Sequence, residues 1–240
     1  MDNDGPWSLL LGLYRTLRAA VRRQPPPTAR PGGGECFVHP FDQAMGVDTS
    51  GFIPGEALAN GSPSDFYTTA YYGISPSSLA EAIRNVPGDP AAMTFVDVGC
   101  GKGRALLVAA RFDFRGIVGV ELSGELCRVA ERNTAHEPRI RVVEADATEF
   151  HYPEGPLLLF LYHPFLAPVL KRVMKNLESQ ISQTRREVYV LYANPSYPGV
   201  MSKFYFLSAI WNFSLPLSDE DAAADRHGLT HERFTLYKSV

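Results

Sequence analysis

Short apolar runs alternate with helical patterns along most of the chain. The runs typical of buried strands are "TFVDV", "GIVGVEL", "IRVVEAD", "PLLLFLY" and "REVYVLYA". Apolar positions three and four apart predict helices between them: Arg104–Arg111, a helix from a cap at Ser123 to about Asn133, and "APVLKRVMKNLESQI". Strands separated by helices predict a parallel sheet with right-handed crossovers.

Further elements flank this alternating region. Ser75 and Pro76, ahead of "SSLAEAI", are N-cap and first-turn signals of a helix. Near the C-terminus, "IWNFSLPL" and "RFTLYKSV" alternate as strands do. The whole pattern predicts an α/β fold with a doubly wound, Rossmann-like sheet.

The N-terminal residues form a different region. Apolar positions recur at helical spacing from Trp7 to Val21, and arginines lie on the neighbouring face, so residues 1–24 predict a basic amphipathic helix. Such a helix can contact a partner or an anionic surface, and packing on its own domain is the favoured alternative. Residues 25–35 are a Pro/Gly linker, and the domain is expected to span 36–240.

Composition limits the function classes. The formal net charge is −3, and no stripe combines aromatic with basic residues, so there is no strong nucleic-acid signal. The 3 cysteines have no Cys-x-x-Cys spacing, which favours a reducing compartment and argues against a disulfide framework or zinc cluster. No apolar run is long enough for a transmembrane segment, and the N-terminal arginines follow the apolar stretch, the wrong order for a signal peptide. A cytoplasmic protein is expected.

The glycine-rich turn after "TFVDV" carries the candidate chemistry. A nicotinamide or flavin fingerprint would need a third glycine where Arg104 or Leu106 stands. A P-loop would need Ser or Thr after Lys102, where Gly103 stands. The remaining pattern is D-x-G-x-G-x-G over residues 97–103.

This pattern resembles motif I of the class I, seven-strand S-adenosylmethionine-dependent methyltransferases. The resemblance covers roughly Ser75 to the C-terminus. It implies the strand order 3-2-1-4-5-7-6, with the last strand antiparallel, and S-adenosyl-L-methionine as cofactor. The implied reaction is methyl transfer to a nitrogen or oxygen nucleophile.

The resemblance also assigns cofactor contacts. It implies that the glycine loop wraps the methionine and ribose parts, that Asp97 orients the amino group, and that Asp146, with the Ala147 N–H beside it, accepts from the adenine amine. Glu121 ends the second strand, where an acid can accept both ribose hydroxyls. The candidate cofactor-binding residues are Asp97, Gly99, Cys100, Gly101, Gly103, Glu121, Leu122, Asp146, Ala147 and Tyr71.

The segment "LYHPF" follows the fourth strand, which in this family lies beside the transferred methyl group. Methyltransferases of nucleic-acid bases carry Asn or Asp, then Pro-Pro and an aromatic residue there; His163-Pro164-Phe165 departs from that pattern and argues against base methylation. His163 can accept a proton from the nucleophile, or it can be a strand-end histidine that only shapes the pocket. The candidate catalytic residues are His163, Tyr162 and Tyr72, with Tyr162 also interpreted as pocket wall.

"YYGISPSSLAEAI" and "LYHPFLAPVLKRVMKNL" are similar to segments of the non-SET histone-lysine methyltransferases and their bacterial look-alikes, over roughly Tyr71 to Leu177. This similarity implies a protein lysine as acceptor. A small-molecule acceptor remains open.

The sequence allows three other interpretations. A Rossmann oxidoreductase is disfavoured by the glycine spacing, and a non-catalytic cofactor-binding or scaffolding module is the second alternative. A metal site at His227 and His231 would need a helical segment, whereas Gly228 and the acidic run before it predict a solvated loop. No metal is therefore predicted.

Overall fold

The computed structural model describes residues 38–58, 69–225 and 228–240. The predictions for residues 1–24 and 25–35, and for His227, lie outside the described residues.

The architecture is a seven-stranded sheet with helices on both faces, accompanied by one small strand pair. The strands are β1 (Phe52–Ile53), β2 (Tyr71–Tyr72), β3 (Thr94–Val98), β4 (Gly116–Glu121), β5 (Ile140–Glu144), β6 (Leu157–Tyr162), β7 (Val188–Ala193), β8 (Leu207–Pro216) and β9 (His231–Ser239). The order in the sheet is β5-β4-β3-β6-β7-β9-β8. Strands β3 to β7 are parallel, and β9 runs antiparallel to β7 and β8. Counted from β3, this confirms the predicted order and the antiparallel last strand.

The helices connect the parallel strands as crossovers and flank the sheet. They are α1 (Pro40–Met45), α2 (Pro76–Arg84), α3 (Arg104–Ala109), α4 (Gly124–Thr134), α5 (Ala167–Gln183), α6 (Pro198–Met201) and α7 (Asp219–Ala224). Ser123 caps α4 as predicted, because its hydroxyl accepts the Leu126 N–H. Within the described ranges, every helix is too short or too polar to cross a bilayer.

Alternate residues of the central strands serve two apolar layers. In β3, Phe95 packs into the layer that contains α2 and α3, and Val96 packs into the layer that contains α5. All residues of β3 are buried, because helices cover both faces of a parallel sheet. The site therefore begins on a rigid support at the carboxyl end of β3.

Arg104, the first residue of α3, ties the segment before the sheet to the glycine turn. Its Nε donates to Thr49 Oγ1 at 2.7 Å, and its Nη2 donates to the Thr49 carbonyl at 3.0 Å. Asp42 accepts from the Thr49 N–H at 2.7 Å and from Ser50 Oγ at 2.7 Å, and its Oδ1 lies 3.7 Å from Arg104 Nη2. This cluster holds residues 38–58 beside the turn after β3.

The acidic run near the C-terminus differs from the predicted solvated loop. Asp219–Ala224 is helix α7, which begins where the Ser218 hydroxyl accepts the Asp221 N–H. Asp221 is buried, because its carboxylate accepts the Ser77 N–H at 2.8 Å and lies 3.2 Å from His39 Nε2. The predicted loop is present at residues 228–230, but the acids before it are helical and not all solvated, because tertiary partners replace water around Asp221.

Substitution Arg104→Ala is expected to lower the free energy of unfolding by about 3–5 kcal/mol, since it leaves buried Asp42 and the Thr49 carbonyl without their cation. Urea unfolding measures this change. The control is Arg84→Ala, whose exposed pair with Glu81 should contribute less than about 1 kcal/mol. Equal losses in the two variants would contradict the assigned role.

Candidate active site

A cleft of about 890 Å³, including its open mouth, lies at the carboxyl ends of β3, β4 and β6. This is the edge at which open α/β sheets bind ligands. Eleven of the predicted site residues line it: Tyr71, Tyr72, Asp97, Gly99, Cys100, Gly101, Glu121, Leu122, Asp146, Ala147 and Tyr162. Gly103 and His163 are not among the lining residues.

The glycines of the turn are required by neighbouring protein atoms. Gly99 and Gly101 have positive φ values of 86° and 54°. A Cβ at Gly101 would lie 2.4 Å from the Tyr71 ring, and one at Gly99 would lie 2.6 Å from Pro164 Cβ. The absent side chains thus let β2 and the loop after β6 close on the turn and form the walls of the cleft.

Gly103 is required at the start of helix α3 and not at the cleft wall. It is the N-cap of α3 at φ 87°, and a Cβ there would lie 3.3 Å from Ala130 Cβ. Lys102 is held by Asp48 Oδ1 at 2.8 Å and the Ser50 carbonyl at 2.9 Å. Its ammonium is therefore engaged outside the cleft, although it follows the cleft-lining Gly101.

Asp97 is a buried carboxylate to which the described residues donate no hydrogen bond. It is 3% exposed, lines the cleft, and receives no side-chain hydrogen bond from any residue in the described part of the chain. Burial, together with the smaller effect of the Glu121 charge, raises its pKa from the ordinary 3.8 to about 8. A cationic ammonium in the cleft would supply the missing donor, which fits the amino group of S-adenosylmethionine.

Glu121 and Asp146 end or follow the neighbouring strands. Glu121 Oε2 accepts the Gly101 N–H at 2.9 Å, and its Oε1 accepts the Ser123 N–H at 2.9 Å. Each of these oxygens retains a second lone pair, so the carboxylate can also accept ribose hydroxyls. Burial raises the Glu121 pKa, although the backbone donors oppose that shift. Asp146 Oδ1 accepts the Thr148 N–H at 2.8 Å.

The other end of the cleft carries two tyrosines backed by carboxylates. Tyr72 Oη donates to Asp225 Oδ1 at 2.8 Å. Tyr162 Oη donates to Glu232 Oε1 at 3.2 Å. These contacts connect the cleft wall to residues far along the sequence.

His163 occupies a strained backbone position with φ 46° at the end of β6. Its ring packs against Tyr197 with centroids 5.7 Å apart, and its Nδ1 is buried with no hydrogen-bond partner among the described residues. Burial lowers the His163 pKa, which favours the neutral imidazole. Its role as a base or as pocket wall stays a prediction.

Sequence reasoning missed Glu232, Asp225 and Arg104. Ser75 does hold the N-cap position of α2, but its hydroxyl forms no capping bond and donates to Glu232 Oε1 at 3.3 Å instead. The strand pattern "RFTLYKSV" begins one residue after Glu232, and nothing in that pattern indicates a buried acid. The pairing with Tyr162 spans 70 positions of sequence, so only the fold could show it.

The family comparison bears directly on this cleft. Residues 95–180 match the family model of a methyltransferase domain. This segment is therefore similar to a methyltransferase domain. It contains the glycine turn, Glu121, Asp146 and Tyr162. The match supports an S-adenosylmethionine-dependent methyltransferase with S-adenosyl-L-methionine as its cofactor.

One curated relative matches less than half of this chain, and two solved structures match more of it at low sequence identity. The ribosomal RNA small subunit methyltransferase A of Synechococcus sp. (strain JA-3-3Ab) is 29% identical over 105 residues, which are 43% of this chain. The chain spans 37% of that curated relative's length. TrmN from Thermus thermophilus has a TM-score of 0.51 at 16% identity, over 70% of this chain and 49% of TrmN. The N-methyltransferase NodS from Bradyrhizobium japonicum WM9 has a TM-score of 0.50 at 10% identity, over 68% of this chain and 94% of NodS.

The two structural likenesses show the fold. The names of these relatives do not mention histone lysine, and the local similarity to the non-SET enzymes stays a prediction. The curated relative's name refers to RNA, so the expectation of no strong nucleic-acid signal is not supported.

Substitution Asp97→Asn is expected to stabilise the ligand-free chain in alkaline solution. Because the pKa of Asp97 is raised from 3.8 to about 8, the folded chain keeps a proton that the unfolded chain has lost. This group's contribution to stability is therefore full below about pH 4 and falls as pH rises toward about 8.

The melting temperature should accordingly be higher for Asp97→Asn than for the wild type at about pH 8, and the difference should shrink toward about pH 4. The exposed Asp113 provides a control, since Asp113→Asn should show no such trend. A difference that is constant across this range would contradict the burial of an ionisable Asp97.

Proposed function

We propose that the chain transfers a methyl group from S-adenosylmethionine to a nitrogen or oxygen nucleophile of a protein lysine or a small molecule. The observation that carries this proposal is the Asp97 carboxylate beside the glycine turn, to which no described residue donates a hydrogen bond, in a cleft with further acids at the next two strand ends. That arrangement matches a ligand with an ammonium group, a ribose and an adenine.

The residues of the cleft have distinct tasks in this proposal. Asp97 holds the amino group, Glu121 accepts from the ribose hydroxyls, and Asp146 accepts from the adenine amine. The cofactor supplies a methyl group already activated on a sulfonium when it is bound. The protein therefore needs mainly to hold the acceptor in line with that methyl group and to exclude water.

The acceptor end of the cleft favours an uncharged or cationic group. Tyr72, Tyr162 and Phe165 present aromatic side chains, which attract cations. Arg104 is the one cationic side chain among the described residues that line the cleft, and its guanidinium is already bonded to Thr49 and Ser50 oxygens. An anionic acceptor therefore meets no uncommitted cation in the described lining, whereas an amine or hydroxyl is compatible with it.

Cofactor binding is tested by titration calorimetry with S-adenosylmethionine. We expect saturable binding by the wild type and at least about 10-fold weaker binding by Asp97→Asn, because a charge-assisted hydrogen bond is lost. Asp113→Asn should bind as the wild type does. Binding of a nicotinamide dinucleotide instead would favour the oxidoreductase alternative, and equal affinity in the two variants would contradict the role of Asp97.

Catalysis is tested by release of S-adenosylhomocysteine in the presence of defined probes. The probes are a lysine-rich peptide, small primary amines, catechols and an RNA hairpin, which covers the chemistry named for the curated relative. We expect release with an amine or hydroxyl probe that Asp97→Asn abolishes. Tight cofactor binding without release for every probe would favour the non-catalytic alternative.

A further inference from the structure

Glu232 is a buried carboxylate directly behind the acceptor wall. It lies in β9 and is 1% exposed. It accepts hydrogen bonds from Tyr162 Oη at 3.2 Å, from Ser75 Oγ at 3.3 Å and N–H at 3.5 Å, and from Ser78 Oγ. All of these donors are neutral, and no salt bridge to Glu232 occurs within the described ranges.

Such a site is costly if its only purpose is structural. A buried carboxylate without a counter-charge is destabilising in its ionised form, and a glutamine would make similar hydrogen bonds without that cost. Burial raises the pKa of Glu232 to about 7, although its donors oppose the shift. The group therefore exchanges its proton near neutrality.

Tyr162 connects this carboxylate to the cleft. It ends β6 and lines the cleft, and its hydroxyl donates to Glu232 and to no other described residue. Burial, together with the nearby charge of Glu232, raises the Tyr162 pKa well above its ordinary value, so the phenol keeps a proton on average. The Tyr162 phenol is therefore suited to relay a proton, and it is unsuited to persist as a phenolate anion.

Other groups near the pair belong to separate elements. In addition to Glu232, two titratable groups interact with Tyr162, namely Tyr72 of β2 and Asp225 after α7. Helix α2 contributes only neutral donors to Glu232, namely Ser75 and Ser78. Asp225 accepts hydrogen bonds from the Tyr72 hydroxyl and the Leu229 N–H, and neither of these bonds involves Glu232.

We propose that Glu232 is the proton acceptor of the methyl-transfer reaction and that Tyr162 relays the proton to it from the bound nucleophile. This inference rests on the proposed function. The nucleophile's lone pair forms the new bond to the methyl carbon while the carbon–sulfur bond breaks and its electron pair stays on sulfur. The nucleophile's proton passes to Tyr162 Oη as the tyrosine's own proton passes to Glu232 Oε1, which becomes a neutral acid. After the product leaves, the same path reverses and returns the proton to water in the cleft.

Infrared difference spectroscopy tests the acceptor without any methyl acceptor present. Full-length protein saturated with S-adenosylhomocysteine is compared between about pH 5 and pH 9. We expect the wild type to lose a carboxylic-acid signal that is missing from Glu232→Gln and is present in Glu187→Gln, an exposed control paired with Lys238. The ammonium of bound S-adenosylhomocysteine should keep Asp97 ionised over this range in the proposed binding mode, so Asp97 should add no carboxylic-acid signal in either variant. Identical spectra for the wild type and Glu232→Gln would overturn the proposal whatever the activity.

The pH dependence of kcat tests the relay, with the probe that gives the fastest release. A base must be deprotonated to act, so the wild-type kcat should rise with pH through about 7 and then level off. Glu232→Gln and Tyr162→Phe should each lower kcat about 100-fold at neutral pH and abolish that rise. Because both act on one path, the double variant should lose no more than the worse single variant.

Controls separate a relay from a structural role. Glu232→Asp should retain the rise of kcat with pH at a reduced rate, and Ser78→Ala should retain it because one neutral donor is lost while the relay remains. S-adenosylhomocysteine affinity and circular dichroism should be unchanged in all of these variants. An unaltered pH profile in both Glu232→Gln and Tyr162→Phe would overturn the relay. Absence of release for every probe in the wild type would instead contradict the proposed function, and the infrared titration would then decide the ionisation of Glu232.

Discussion

The buried carboxylate at the end of β3, which has no counter-charge among the described residues, is the constraint around which this cleft is organised. Asp97 is buried by the closure of the glycine turn, and Glu121 lies close enough for its charge to raise the Asp97 pKa further. A folded chain that buries two acids side by side gives up stability at neutral pH. A cationic ligand would remove this cost, which is the physical basis for proposing that the cleft binds a positively charged group.

Closure of the turn depends on contacts from outside the classical crossover units. Tyr71 packs over Gly101, and its hydroxyl donates to the Thr49 carbonyl at 2.6 Å. Arg104 donates to the same carbonyl and to the Thr49 hydroxyl. Residues 38–58 therefore support one wall of the cleft, because Thr49 holds both Tyr71 of β2 and Arg104 at the start of α3.

The two ends of the cleft use carboxylates differently. At the cofactor end, Glu121 is held by backbone N–H groups, which favour its ionised form and limit the upward shift of its pKa. At the acceptor end, Glu232 is held by hydroxyls and one long backbone contact, and its pKa is raised to about 7. The first arrangement suits a fixed hydrogen-bond acceptor, and the second suits a group that gains and loses a proton.

The sequence patterns alone were sufficient for the alternation of strands and helices and for the acids at the ends of β3 and β4 and just after β5. The strand order followed from the resemblance to the class I methyltransferases and not from these patterns. Local hydrophobic period, glycine spacing and strand-end position are all properties of short segments, and a parallel sheet brings its strand ends to one edge by geometry. Only the tertiary structure showed the Arg104 cluster, the buried Asp221 and the pairing of Tyr162 with Glu232. Those contacts join residues that are distant along the chain. Asp, Glu and Arg are usually solvated, so no local pattern distinguishes a buried one from an exposed one until the packing around it is known.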